Sequence, residues 1–211
     1  MALGRRRRAS PHPFPSRALR SFTLPLVERA GPWTRLFRPP HAPLHFGRGG
    51  EGRFDAPHGE YGVLYVADEL AGAFIEVFGR DPAYRIISAP TLRSRDVALV
   101  SAGRPLRLVD LRDGPGLAAI GATGELTMGG NYRLSHAFSR ALNRHPSAPD
   151  GIWYRCRHDP AQCSVAVFDR AQSVVHARDL GNLLGPRFLI EVARLLDRYH
   201  FALDSSTPPT H

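Results

Sequence analysis

Four glycines fall within six residues, Gly47, Gly49, Gly50 and Gly52, and Pro39, Pro40 and Pro43 stand just before them. No regular helix or central strand runs comfortably through such a stretch, because glycine loses the most backbone freedom on ordering and proline has no amide donor. It is therefore a loop, and the chain becomes regular after it. Val63 to Val66 is a short apolar strand, and Leu70, Ala73, Phe74 and Val77 then keep the spacing of one helix face, on a segment that also carries Glu76. Loop, strand and helix from Phe46 to Arg80 form the frame that the rest of the chain completes. The glycines let backbone approach a ligand closely, Arg48 and Arg53 bring planar donor forks suited to phosphate or carboxylate, and Tyr65 offers a flat face with a polar tip.

Gly47, Gly49 and Gly52 also spell G-x-G-x-x-G, the signature of a dinucleotide-binding turn. The context excludes that reading. A proline loop precedes the glycines where a strand is needed, and Phe54-Asp55-Ala56-Pro57 stands where a helix would have to open on the pyrophosphate.

With 211 residues and 43% apolar content, the chain can bury one sizeable core. The expected organisation is a basic Pro/Arg-rich arm over residues 1–30, without fixed structure, one domain over 31–203 and a disordered tail over 204–211. All 28 basic residues are arginine. The absence of lysine removes Walker-type phosphate loops, lysine Schiff bases and catalytic lysines. The net charge of +9 raises a rival reading, a nucleic-acid-binding module that stacks bases on Trp33, Phe46, Tyr61, Trp153 and Tyr154. Against it, the arginines are scattered, and their one dense run is Arg5 to Arg8. Two cysteines, Cys156 and Cys163, fit a reducing compartment better than a disulfide scaffold. No apolar run is long enough to span a membrane, and the prolines after Arg8 spoil a signal peptide, so a cytoplasmic protein is expected.

Further along, Tyr84 to Ile87, Val97 to Ser101 and Leu106 to Leu111 read as strands, Thr91 to Asp96 as a turn or short helix, and 117–130 as a short helix and loop. Tyr132 to Arg144 is an amphipathic helix, Ile152 to Arg157 and Ser164 to Phe168 are neighbouring strands, Asp179 to Leu184 is a loop, and Arg187 to Phe201 is the last helix. Short strands interleaved with a few helices give an α+β fold, a compact mixed sheet with peripheral helices.

Trp33-Thr34-Arg35-Leu36-Phe37, Gly52-Arg53-Phe54-Asp55, Leu64-Tyr65-Val66-Ala67 with Glu76, and Asp150 to Asp159 with Val165 to Asp169 resemble, in order and spacing, the RES domain family. That family is named for an Arg, a Glu and a Ser. The resemblance implies an ADP-ribosyltransferase-like fold and a toxin of a toxin–antitoxin pair. Such a toxin destroys NAD by phosphorolysis or hydrolysis, or transfers ADP-ribose to a protein. It matches Arg35 to the family Arg, Glu76 to the Glu, Tyr65 to the tyrosine before the Glu helix and Arg53 to the GRF element. Where the family Ser should fall, this chain has Cys156, a weaker hydrogen-bonding group than a hydroxyl. The implied partners are NAD as substrate, inorganic phosphate as acceptor and a cognate antitoxin, with no metal.

The chemistry agrees with these roles. Breaking the nicotinamide–ribose bond passes through an oxocarbenium-like centre that a single carboxylate, Glu76, could stabilise. Arg35 and Arg53, with Arg48 nearby in the glycine turn, would hold phosphates, and Tyr65 would stack on the nicotinamide or edge the ribose. Cys156, His158 and Cys163 also form C-x-H-x4-C, but without a paired C-x2-C or a fourth ligand this is a weak metal motif.

Overall fold

The structure is a computed structural model and describes residues 14–204. The Arg5 to Arg8 run and residues 205–211 lie outside the described residues. Eight strands build one mixed sheet: β1 (Leu26–Arg29), β2 (Trp33–Phe37), β3 (Val63–Ala67), β5 (Asp96–Ala102), β6 (Leu106–Asp110), β7 (Gly151–Arg155), β8 (Cys163–Phe168) and β9 (Val175–Asn182). Their order is β1-β6-β7-β8-β3-β2-β5-β9, antiparallel throughout except for the β6–β7 pair. That one parallel pair needs a crossover, supplied by α3 (Gly114–Ala119), α4 (Glu125–Met128) and α5 (Tyr132–Asn143). A small parallel pair, β4 (Ile86–Ser88) with β10 (Ala202–Asp204), sits apart and joins α2 (Ala89–Arg93) to the end of α6 (Leu189–Arg198). The α+β class expected from the sequence is the class found.

Alternation along the strands decides which core each side chain enters. On β3, Val63 and Tyr65 face the cluster of Phe54, Phe138, Leu142 and Tyr154, while Leu64 and Val66 face Trp33, Leu108, Val165 and Val167. A third cluster lies under α1 (Leu70–Phe78), where fully buried Phe74 packs with Leu92, Val192 and Phe201. Phe74 and the small residues Ala71 and Ala73 keep the α1 backbone close to the sheet, and Glu76 projects from the half-buried flank of this helix.

Three stretches differ from expectation. Residues 14–30 are part of the fold: Ser16 caps a 3-10 turn, Leu19 and Leu24 are buried, and β1 pairs with β6. The arm looked loose because its packing side chains, buried Leu19 and Leu24 with half-buried Phe22, Leu26 and Val27, follow no single helical or strand period. Asp179 to Asn182, read as a loop, belongs to β9, an edge strand whose polar HARDLGN sequence hides it, with a bulge opposite Val97/Ala98. Asp204, assigned to the tail, ends β10.

β2 and β3 are sheet neighbours that share one residue pair, Thr34↔Ala67. Beyond it they diverge. The divergence opens a cleft in the sheet, walled by α1 and by the glycine loop.

Candidate functional site

The cleft holds about 530 Å³ and is lined by all five functional elements: β2 (Thr34, Arg35), the glycine loop (Gly52, Arg53), β3 (Tyr65), α1 (Glu76) and the β7–β8 hairpin (Tyr154, His158, Ser164). Arg35 fills the gap left where the β2–β3 ladder stops. Its Nη1 donates to Tyr65 O at 2.9 Å and its Nη2 reaches His45 O at 3.4 Å, while Nε is buried without an acceptor. Burial brings its guanidinium down to about 10, so it remains cationic at neutral pH.

Tyr65 is a latch as much as a ligand platform. Its hydroxyl donates to Asp55 Oδ1 and accepts from Phe54 N, both at 2.8 Å, and Asp55 Oδ2 accepts from Gly52 N at 2.8 Å. Burial pushes its phenol well above the ordinary value, so it stays a donor. Gly52 must be glycine here, since an added Cβ would lie 2.5 Å from the Tyr65 hydroxyl. Arg53 is buried, donates from Nη1 to Gly129 O at 2.8 Å, and lies 4.9 Å over the Tyr132 ring. It reaches the cleft with one edge and ties the loop to the end of α4 with the other.

Glu76 Oε1 accepts from Arg157 N at 3.1 Å, which aims the carboxylate across the cleft towards the hairpin. Cys156 is fully buried, and its Sγ lies 3.0 Å from Ser164 Oγ. Burial first, and then the Glu76 carboxylate, push the thiol well above its usual range, so it is no thiolate nucleophile. Cys156 does not line the cleft; Ser164 does. Pairing of Tyr154 with Ser164 across the β7–β8 ladder brings this hydroxyl to the floor. His158 is held below its ordinary value, by partial burial first and then by the positive charge of Arg157 and Arg53.

Of the residues singled out in the sequence, Arg35, Arg53, Tyr65 and Glu76 thus meet in one cleft, and Cys156 stands directly behind its wall. Arg48 is elsewhere: it bridges Gly59 O (2.8 Å) and Asp169 Oδ2 (2.5 Å), bracing the loop against the turn after β8. It corrects the expectation that both loop arginines face a ligand. Sequence reasoning missed Ser164 and noted Tyr154 only for base stacking and His158 only in a metal motif, although the alternation of β7 and β8 sends Tyr154 and Ser164 to the same face as Tyr65. Cys163 pairs across the ladder with Arg155, and among the described residues no group of three His, Cys, Asp or Glu side chains is arranged to hold a metal ion.

The cleft's lining is cationic: five arginines (35, 38, 53, 80 and 95) face two carboxylates, Glu51 and Glu76. Residues 32–184, the stretch that builds it, match the RES domain. The chain belongs to the RES domain family. A relative named "Probable toxin y4kH", from Sinorhizobium fredii, is 33% identical over 113 residues, 54% of this chain and 86% of the relative. Among solved structures, a chain of the M. tuberculosis MbcT-MbcA toxin-antitoxin complex superposes with a TM-score of 0.59 at 17% identity. That match covers 74% of this chain and 86% of the other, a likeness of RES fold. Among the described residues no helix is long and apolar enough to cross a membrane.

Proposed function

We propose that this RES-domain protein is the toxin of a toxin–antitoxin pair and that it cleaves the nicotinamide–ribose bond of NAD. The observation that carries the reading is Glu76, a carboxylate fixed by a backbone N–H on the wall of a cleft that five arginines and three tyrosines also line. A dinucleotide needs cations for its pyrophosphate, a flat apolar face for its ring and one negative charge beside its ribose, and Arg35 with Arg53, Tyr65 with Tyr154, and Glu76 supply these.

In the reaction, the C1′–N bond of the nicotinamide riboside breaks and its electron pair moves onto the ring nitrogen, which leaves neutral. Glu76 stabilises the positive charge that develops at C1′. Ser164 Oγ, brought to the floor by the β7–β8 ladder, holds a ribose hydroxyl. The acceptor oxygen then bonds to C1′ and releases a proton, giving ADP-ribose from water or its 1-phosphate from inorganic phosphate. No general acid is required, which suits a site whose one histidine on the hairpin is held neutral.

The relatives named toxins support the biological role, and a cognate antitoxin is the proposed partner. The test is NAD loss by the purified protein with and without inorganic phosphate, with products identified by mass. Glu76→Ala should fold with unchanged secondary structure and lose at least about 100-fold in turnover, the magnitude of one electrostatic transition-state contact. Turnover unchanged in that variant removes Glu76 from the mechanism, and no NAD loss by the wild type refutes the reaction.

A further inference from the structure

Three of the arginines that line the cleft do no structural pairing. Arg38 follows β2, Arg80 follows α1 and Arg95 precedes β5, and all three face the same cavity. The β2–β5 register ends at Phe37↔Asp96, which leaves Arg38 and Arg95 immediately beyond the last pair, across from one another. Like charges so arranged across antiparallel strands oppose folding. Elsewhere the fold neutralises such groups: Arg29 pairs with Asp68, Arg104 with Asp150, Arg112 with Asp110 and Arg198 with Asp159. Among the described residues, neither Arg38 nor Arg95 makes a side-chain hydrogen bond or ion pair, and Arg80 only reaches the Glu76 carbonyl at 3.3 Å.

Arg95 is the most telling of the three. Its Nε is buried with no acceptor, as is that of Arg35 in the same cleft, and a ligand oxygen there would satisfy it. Burial, and then the charges of Arg38 and Arg80, hold its guanidinium below the ordinary value, so the three cations feel one another. Glu76, by contrast, acts on Tyr154, Cys156 and His158. The Glu76 carboxylate thus faces the hairpin through Arg157 N, whereas the three guanidinium groups come from the ends of β2 and α1 and the start of β5. Several guanidinium forks converging from three elements suit a tetrahedral dianion better than a planar, singly charged carboxylate.

We infer that Arg38, Arg80 and Arg95 form a phosphate seat in the part of the cleft bounded by the ends of β2 and α1 and the start of β5. It takes a phosphate group that is either free in solution or carried on a nucleotide. The nucleotide-borne case rests on the proposed NAD reaction; the free-phosphate case does not.

The test is calorimetric titration of the full chain at fixed ionic strength with two probes, inorganic phosphate and ADP-ribose. Arg38→Gln, Arg80→Gln and Arg95→Gln are compared with Arg178→Gln, an exposed position on β9 outside the cleft. The seat predicts that each cleft variant weakens a probe by about tenfold, the value of one charged hydrogen bond, while Arg178→Gln changes it by less than about twofold. Loss confined to inorganic phosphate marks a free-phosphate seat, and loss with ADP-ribose marks a phosphate carried by the nucleotide. Equal, small effects in all four variants, or no saturable binding of either probe by the wild type, overturn the seat. If Arg95→Gln does not fold, the exposed Arg38 and Arg80 variants decide alone. A wild type that binds phosphate through these arginines yet consumes no NAD keeps the seat and refutes the NAD reaction; NAD turnover with unaltered affinities in the variants does the opposite.

Discussion

Gly52→Ala tests whether the glycine loop is held by the Tyr65 latch. An alanine Cβ would sit 2.5 Å from the Tyr65 hydroxyl and 2.6 Å from Cε2 and Cζ. Carbon atoms in contact settle at about 3.5–4.0 Å, so the ring must move by about 1 Å. Both hydrogen bonds of the Tyr65 hydroxyl, to Asp55 and from Phe54 N, are 2.8 Å long, and a shift of that size takes them past the length at which they count. One has a carboxylate acceptor and the other is neutral, so the loss is about 2–4 kcal/mol. About 0.4–1 kcal/mol returns because alanine restricts the unfolded chain. The expected net destabilisation of about 2–3 kcal/mol lowers the urea midpoint by roughly 1–1.5 M with an unchanged slope. In a Tyr65→Phe background the two bonds are already gone, and the same substitution should cost about 1 kcal/mol. A midpoint within about 0.3 M of wild type, or an equal cost in both backgrounds, refutes the latch.

Ser164→Ala should lower kcat/KM for NAD by about 3- to 10-fold, the worth of one neutral hydrogen bond, whereas Cys156→Ala, behind the wall, should change it by less than about twofold; the reverse order would return the role to the thiol. The raised Cys156 thiol also sets an alkaline limit. Above about pH 8.5 the unfolded chain releases this proton and the folded chain keeps it, so stability must fall as pH rises. Urea midpoints should show about 1–2 kcal/mol lost between pH 8.5 and 10, with a shallower fall in Cys156→Ala, and equal slopes would show that the thiol is not held protonated.

Much of the site was legible because its chemistry sits at fixed offsets along short elements. Arg35, Tyr65 and Glu76 each lie mid-element, where alternation or helical spacing tells which way a side chain points, and all three reach the cleft. Arg48 and Arg53 could not be separated in the sequence: they flank the same glycines, and only the loop's path sends one into the cleft and the other to Asp169. Cys156 drew attention by standing where a hydroxyl was expected. The hydroxyl that does line the cleft, Ser164, is across the β7–β8 ladder, eight residues on, a distance that becomes adjacency only once the hairpin register is known. Arg38, Arg80 and Arg95 were invisible for the same reason, since their meeting depends on how three chain ends converge. Residues 14–30 and β9 were misread because Leu19, Leu24 and the edge position of β9 are tertiary facts, and local composition there is that of a loop.

The segment between Gly52 and Asp55 has no regular ladder, yet the Asp55 carboxylate, the Tyr65 hydroxyl and the Gly129 carbonyl fix it to the sheet and to α4. A wall already ordered before a ligand arrives has little conformational entropy left to surrender on binding. Association should accordingly show a small entropic penalty for its size, and amides of Gly52 and Phe54, though outside any strand, should exchange with solvent as slowly as those of the neighbouring sheet.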